Sequence, residues 1–520
     1  MRNSYADVDN KTQLPVWLLT LEMPDGEILR FSSEPISVDT SSTLLNGPYQ
    51  YTPMLSGVSD YTEELDLFSL DGVGALTQIK VDIAWNESIA QWQADWRHVT
   101  ALTAELAQIW RGQAWEDRII LLYAGQVQGL EFGVAGQTTQ ITLESTPPSS
   151  SAGVGDDTRD MGDDWDSVTD RTGASMSDLT GRKYQWVFGD PESVPGYKVG
   201  GPLAGANKLV LAGHHFPDTS TITVYEDGRS IGTFTPQNAT ISSGDYCYVE
   251  SGTDFDAADG AYTYKAAHGG IVGASDINTP ALNAGEILKK LLTMSGLTVD
   301  WALMQPTIQA LQPWRIGFYL DKQSDALKII EDKIVPYVPI IRMQSGTGVW
   351  YAYIDPWRAP VEGTLVEGQA LLGRVGRMYI SDMDAIYNSF TINYAPEEYS
   401  EELTETAYID DTNNALCYLS KQLYGDRPYD VIDANVVWSQ RAAEQILLNM
   451  VSRYALPRRR IQYQLAPDWY WIRAGMVFYL QADTQGIENK QRAAVLEINR
   501  SMNPYIITLD MIDRTSISAR

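Results

Sequence analysis

The chain has 520 residues, 44% of them apolar, enough for several folded cores, on the order of three to four at ~150 residues each. Its 67 acids outnumber its 38 bases, and the net charge of -29 excludes nucleic-acid binding by counterion release, which needs patches of Lys and Arg. Only Cys247 and Cys417 are present, far apart, which excludes a disulfide framework and a Cys-based zinc site. The aromatic set is 29 Tyr and 15 Trp against 10 Phe, a balance favoured on β-sheets and at protein interfaces. Asp7 and Asp9 break any signal-like pattern at the start, and no apolar run approaches the ~18 residues of a spanning helix. The expectation is a soluble protein made in the cytoplasm of its cell, with no membrane segment.

In chain order, Val16 to Glu22 reads as a strand ending at the turn Pro24-Asp25-Gly26, and Ile28 to Ser32 as its hairpin partner. Tyr49 to Leu55 and Gln78 to Ile83 read as further strands. Asn86 is placed to cap a long helix running to Trp110, with Ile89, Trp92, Trp96, Val99, Leu102, Leu106 and Ile109 on one face. A stripe this long is most often core; the lesser alternative is that its Trp92 and Trp96 face a neighbouring subunit. Arg118 to Ala124, Gln126 to Phe132 and Thr139 to Ser145 are expected strands. Seven Asp between Asp156 and Asp170 then mark a solvated linker rather than a calcium loop.

Tyr184 to Asp190 opens a Gly-rich β-unit, whose clearest hairpin, Ile222 to Gly232, turns at Asp227-Gly228. Asn283 with Glu286 forms a capping pattern for a helix buried through Ile287, Leu288, Leu291 and Leu292 and ended by Gly296. Ser324 is expected to cap a second helix, with Leu327, Ile330 and Ile334 inward. Trp314 to Leu320 and Val349 to Ile354 are strands around it.

The richest stretch is Tyr387 to Leu480. Phe390, Ile392 and Tyr394 alternate with polar neighbours, the period of a half-buried strand. Asp433 to Trp438 is expected as another strand. Ser439 stands where a helix N-cap belongs, Ala443, Ile446, Leu447, Met450 and Tyr454 form one stripe, and Pro457 stops the helix. Arg458, Arg459 and Arg460 make a basic link before Ile461, Tyr463 and Leu465 alternate again. Ile472 to Leu480 turns into one more strand, and Arg492 to Asn499 and Tyr505 to Met511 complete the chain.

Tyr387-Asn388-x-Phe390-x-Ile392-x-Tyr394, the Ser439-x-x-x-Ala443 helix, the Pro457-Arg458-Arg459-Arg460 link and the Gly475-Met476-Val477 strand together resemble the C-terminal part of baseplate hub proteins of long-tailed bacteriophages. The first 145 residues, antiparallel β with one helix, are similar to the tail-tube fold of phage tubes, distal tail proteins and hubs. The resemblance implies a mainly β, multidomain chain with α+β parts: a tube-like antiparallel β-domain over 1–145, an acidic linker over 146–183, an inserted small β-domain over 184–277, an α/β middle domain over 278–375 and a second tube-like β-domain over 376–520. It implies a structural protein of the virion tail, made in the host cytoplasm: a homotrimeric hub joining the tail tube or a distal tail protein above to tip or fibre proteins below. Genomic DNA would pass through without specific binding. A hexameric distal tail protein is the nearest alternative.

No catalytic, cofactor or metal site is expected. His98, His214, His215 and His268 form no helical zinc pair, and His214-His215 reads as a surface loop. Asp254 to Gly260 lacks the ligand alternation and closing Glu of a calcium loop. No nucleophile elbow, phosphate loop or clear carboxylate pair is present. Pro467-Asp468-Trp469-Tyr470-Trp471 reads as an exposed aromatic cluster: a sugar-stacking platform if the chain is a carbohydrate-binding or carbohydrate-active protein, a subunit contact if it is a hub.

Overall fold

The computed structural model describes residues 15–22, 26–40, 48–59, 61–64, 78–84, 103–131, 138–144, 152–154, 161, 183–189, 191, 193–199, 208–216, 221–226, 229–241, 244–250, 262–267, 283–345, 348–355, 359–375, 379–380, 383–396, 402–482, 490–500 and 505–512. The chain is mainly β, built from several sheets with a few helices. Trp92, Trp96, His98, the Asp156–Asp170 run, Asp254 to Gly260 and His268 lie outside the described residues.

Val16–Glu22 and Ile28–Ser32 pair as the expected hairpin, Glu22 opposite Ile28. They form one side of a sheet that continues through Thr103–Ile109, Ile119–Glu131, Thr138–Glu144, Gln78–Ala84 and Leu55–Val58. The apolar stripe predicts the end of a helix at Thr103–Ile109; the segment is instead a strand, paired antiparallel to Val16–Glu22 with Ile109 opposite Val16. The reason is burial on both faces. Ala104, Leu106, Ala107, Gln108 and Ile109 are all buried, so apolar side chains fall at helical and strand spacings alike. Arg118 to Ala124 and Gln126 to Phe132 merge into one long strand, Ile119–Glu131, and Tyr49 to Leu55 splits into Tyr49–Tyr51 and a new strand at Leu55–Val58.

A second large sheet runs Val361–Val366, Val477–Gln481, Gln491–Arg500, Tyr505–Ile512, Arg458–Leu465 and Leu371–Arg374. Tyr61–Glu64, from the other end of the chain, adds to it beside Gln491–Arg500. The two sheets share one core: Leu19, Leu106 and Ile141 from the first join Ile461, Phe478 and Ile507 from the second. Gln108 donates to the Tyr505 hydroxyl at 2.7 Å inside it. The expected Arg458–Arg460 link is the start of a strand, and Arg458 and Arg459 are buried.

Between these sheets in sequence lies an α/β core. The helix Ala284–Met294 is capped by Asn283, whose side chain accepts the Glu286 N–H at 3.0 Å, and it buries Ile287, Leu288, Leu291 and Leu292 as expected. Gly285 lets it approach the helix Trp301–Ala310 closely, since a Cβ there would stand 2.5 Å from the Ile308 carbonyl oxygen. The cap of Ala326–Lys333 is Asp325, one residue after the expected Ser324. The helix Gln440–Tyr454 forms as expected, with Ser439 accepting the Ala442 N–H. It packs on Phe390–Pro396, whose Phe390, Ile392 and Tyr394 are buried. Asp433 to Trp438 is a strand only at Ile432–Asp433, because the next residues serve a neighbour: the Val436 carbonyl accepts the Gly317 N–H, and the Trp438 indole donates to the Gly317 carbonyl. Tyr387 to Leu480 is thus divided, its first half in this α/β core and its last strands in the β core.

The Gly-rich unit is a sheet ordered Arg229–Phe234, Thr221–Glu226, Tyr262–Ala267, Val194–Val199, Lys208–Ala212, Gly244–Glu250 and Gln237–Ile241. Its hairpin sets Glu226 opposite Arg229, as the Asp-Gly signal requires. Trp186–Gly189, expected to open this unit, pairs instead with Gly317–Leu320 of the α/β core.

His214, expected on the surface, is buried. Its Nε2 accepts the Val187 N–H at 3.0 Å, so Nδ1 carries the proton and meets the His215 carbonyl at 3.1 Å. Burial lowers its pKa from 6.5 to about 4. A depressed folded-state pKa contributes stability that is complete above the unfolded value and is lost as pH falls through the folded one. Between about pH 6.5 and 4 this group alone should remove up to about 3 kcal/mol. The difference in urea midpoint between pH 7 and pH 4.5 should therefore shrink in His214→Gln, and an unchanged pH slope would contradict this.

Candidate functional site

The segment after Leu465 turns sharply because Pro467 fits the first position of a short 3₁₀ turn, Pro467–Trp469. Trp469 and Trp471 emerge on one side of it, stacked at 5.7 Å between ring centroids and 27° between planes. Phe478 backs both, 6.3 Å from Trp469 and 6.0 Å from Trp471. Tyr470 points the other way, into the β core. It meets Trp110 edge-on at 5.8 Å and donates to Gln113 Oε1 at 3.2 Å. The fully buried Arg500 donates to the Tyr470 and Ile472 carbonyls and so holds the turn from beneath. Arg473 donates to the Ile120 carbonyl at 2.9 Å, tying the turn to the first sheet.

The aromatic pair lines a cleft of about 1240 Å³ where three parts of the chain meet. One wall is the short turn Trp115–Asp117 with Arg118 and Ile120. A second is the helix Trp301–Ala310, presenting Leu303 and Pro306 next to Trp350. The third is the Pro467–Val477 segment with Gly368 and Gln369. Arg118 is fixed by Glu105, Nε to Oε1 at 2.6 Å and Nη2 to Oε2 at 2.8 Å, and its guanidinium lies 3.3 Å over the Trp115 ring. Asp300 caps the helix through the Leu303 N–H at 3.1 Å, and the Thr307 hydroxyl donates to the Tyr351 carbonyl at 2.7 Å. Among the described residues five carboxylates line the cleft, Glu116, Asp117, Asp300, Glu362 and Asp468, against the two guanidinium groups of Arg118 and Arg473.

Of the residues singled out in the sequence, Trp469 and Trp471 line this cleft, half-buried. Tyr470 is the correction: its side chain is fully covered within the chain and offers no surface to a second one. The first two walls are not legible in the sequence, since nothing in the spacing of residues 116–120 or 300–307 connects them to residue 469. Cys247 and Cys417 are free and buried, and burial pushes the Cys417 thiol up to about 12. Among the described residues no group of three His, Cys, Asp or Glu could hold a metal ion, and no helix is long and apolar enough to cross a membrane.

No family model matches the chain, and no curated protein matches it. Among solved structures it is similar to the tail protein from Neisseria meningitidis MC58, at 10% identity and a TM-score of 0.38 over 96% of each chain. It is similar to the 43 kDa tail protein of prophage MuSo2 from Shewanella oneidensis, at 8% identity and a TM-score of 0.37 over 96% of this chain and 100% of that one. The prophage tail protein gp18 from Listeria monocytogenes EGD-e gives 8% and 0.37 over 94% and 98%. Likeness this distant carries no residue roles across.

Proposed function

We propose that the chain is a structural, non-catalytic protein of a phage tail, and within the tail a baseplate hub at the tip. The observation that supports this most is the joining of the N-terminal and C-terminal sheets. They share one apolar core, and Tyr61–Glu64 crosses from the first region to pair with Gln491–Arg500 of the second. One chain thereby carries two β-units fixed side by side, the first antiparallel and the second, expected to be antiparallel, mixed through the parallel pairing of Val361–Val366 with Val477–Gln481, so a homotrimer would present six faces, suited to a six-fold tube above and a three-fold tip below. A distal tail protein or the tube would bind on one side, tip or fibre proteins on the other. The net charge of -29 suits a passage through which DNA slides, because an acidic wall repels phosphates whereas a basic one would trap them.

Native mass spectrometry of the purified chain at micromolar concentration is expected to show a trimer. A stable hexamer would instead favour a distal tail protein. In a structure of the assembled ring, a bore lined mainly by Lys and Arg would remove the reading of the passage.

A further inference from the structure

We propose that the cleft floored by Trp469 and Trp471 binds a cationic polypeptide segment, one that carries Arg or Lys beside an apolar anchor. Three observations converge on that chemistry. The first is size: at about 1240 Å³ the cleft exceeds the ~300–1,000 Å³ usual for small-molecule pockets and suits a stretch of chain. The second is its lining. Leu303, Pro306, Trp350 and Met476 join the indole pair in an apolar interior, and an indole face attracts a guanidinium or ammonium within about 6 Å. The third is charge. Among the described lining residues five carboxylates stand against two guanidinium groups; Arg118 is held by Glu105 and Arg473 by the Ile120 carbonyl, while Glu116 and Asp300 accept neutral donors, the Thr40 hydroxyl and the Leu303 N–H, that leave their negative charge in place. An acidic segment would meet repulsion, whereas a basic one finds complementary charge around an aromatic floor. A neutral saccharide would use the indoles and leave the charge without purpose. The lining residues named here all belong to one chain, so binding can be tested apart from the oligomeric state.

The probe is a fluorescently labelled heptapeptide, Arg-Trp-Arg-Gly-Arg-Leu-Arg, with the same peptide carrying Glu for every Arg and a neutral chito-oligosaccharide as comparisons. Binding is read by anisotropy on the full chain at about 50 mM and about 500 mM salt. The basic peptide should bind saturably and weaken with salt, and the acidic one should not bind. Trp471→Ala should weaken binding about tenfold. The double variant Glu116→Gln with Asp117→Asn should weaken it about threefold with an unchanged melt. Because the whole chain is acidic, a remote double variant, Glu402→Gln with Asp426→Asn, removes the same charge from exposed positions and should leave binding unaltered. Equal weakening by the remote variant would overturn the proposal, as would equal binding of the acidic peptide. Binding of the oligosaccharide at the Trp471 site in place of the peptide would overturn it too. Should Trp471→Ala fail to fold, the comparison of the two carboxylate variants decides.

Discussion

Asp510→Asn is expected to destabilise the C-terminal sheet by about 3–5 kcal/mol, the usual cost of breaking a buried ion pair from one side. Asp510 is fully buried on Tyr505–Ile512, and Arg458 is 3% exposed. Arg458 Nε donates to Asp510 Oδ2 at 2.7 Å, Nη2 donates to the same oxygen, and Arg460 Nε stands 3.5 Å from Oδ1. Asparagine keeps the shape and an acceptor but leaves a buried guanidinium without its counter-charge. The effect comes from the charge left behind, so replacing both partners with apolar residues, Arg458→Met with Asp510→Leu, should recover much of the loss. The exposed Asp426 is the comparison: its carboxylate lies 3.6 Å from Lys421 in solvent, and Asp426→Asn should cost no more than about 1 kcal/mol. Urea midpoints of the four proteins check this, and an Asp510→Asn midpoint close to that of Asp426→Asn would refute it.

That pair also marks what the sequence can and cannot convey. Arg458-Arg459-Arg460 after Pro457 has the composition of an exposed basic link, and only the opposing Asp510, about fifty residues on, turns it into buried strand. Signals that are local were legible. Ser439, the apolar stripe and Pro457 specify Gln440–Tyr454 from within one segment, and Asp227-Gly228 specifies the register of its hairpin. Signals that depend on neighbours were not. Thr103–Ile109 is a strand because it lies mid-sheet, covered on both faces, and Trp301–Ala310 is a helix despite an interior Pro306 because it packs on Gly348–Tyr353. Asn414 caps the helix Ala415–Tyr424 by the same chemistry as Asn283, a local signal that the sequence reading does not include. The site followed the same rule. Trp469 and Trp471 stood out as aromatics in a turn, yet Arg118 and four of the carboxylates, Glu116, Asp117, Asp300 and Glu362, come from distant parts of the chain, and the alternation of sides that buries Tyr470 between them is set by the turn's three-dimensional course.

Phe478 links that site to the core, and Phe478→Ala is expected to cost about 3–5 kcal/mol, the range for truncating a fully buried aromatic ring. It lies on Val477–Gln481, second in the C-terminal sheet, and belongs to the apolar cluster shared with the N-terminal sheet. Its ring fills space that neighbouring strands cannot close, since Val477–Gln481 is held by Val361–Val366 on one side and Gln491–Arg500 on the other. The cavity left by alanine therefore persists, and its cost adds to the lost transfer energy. The same ring backs Trp469 and Trp471, so the truncation should also loosen the stacked pair and shift its fluorescence to longer wavelength. Phe478→Leu, which retains most of the volume, should cost less than about 1.5 kcal/mol and leave the emission near that of the parent chain. The two variants separate packing from mere apolarity. If alanine proved as mild as leucine, Phe478 would not be the support on which the Trp469–Trp471 floor rests.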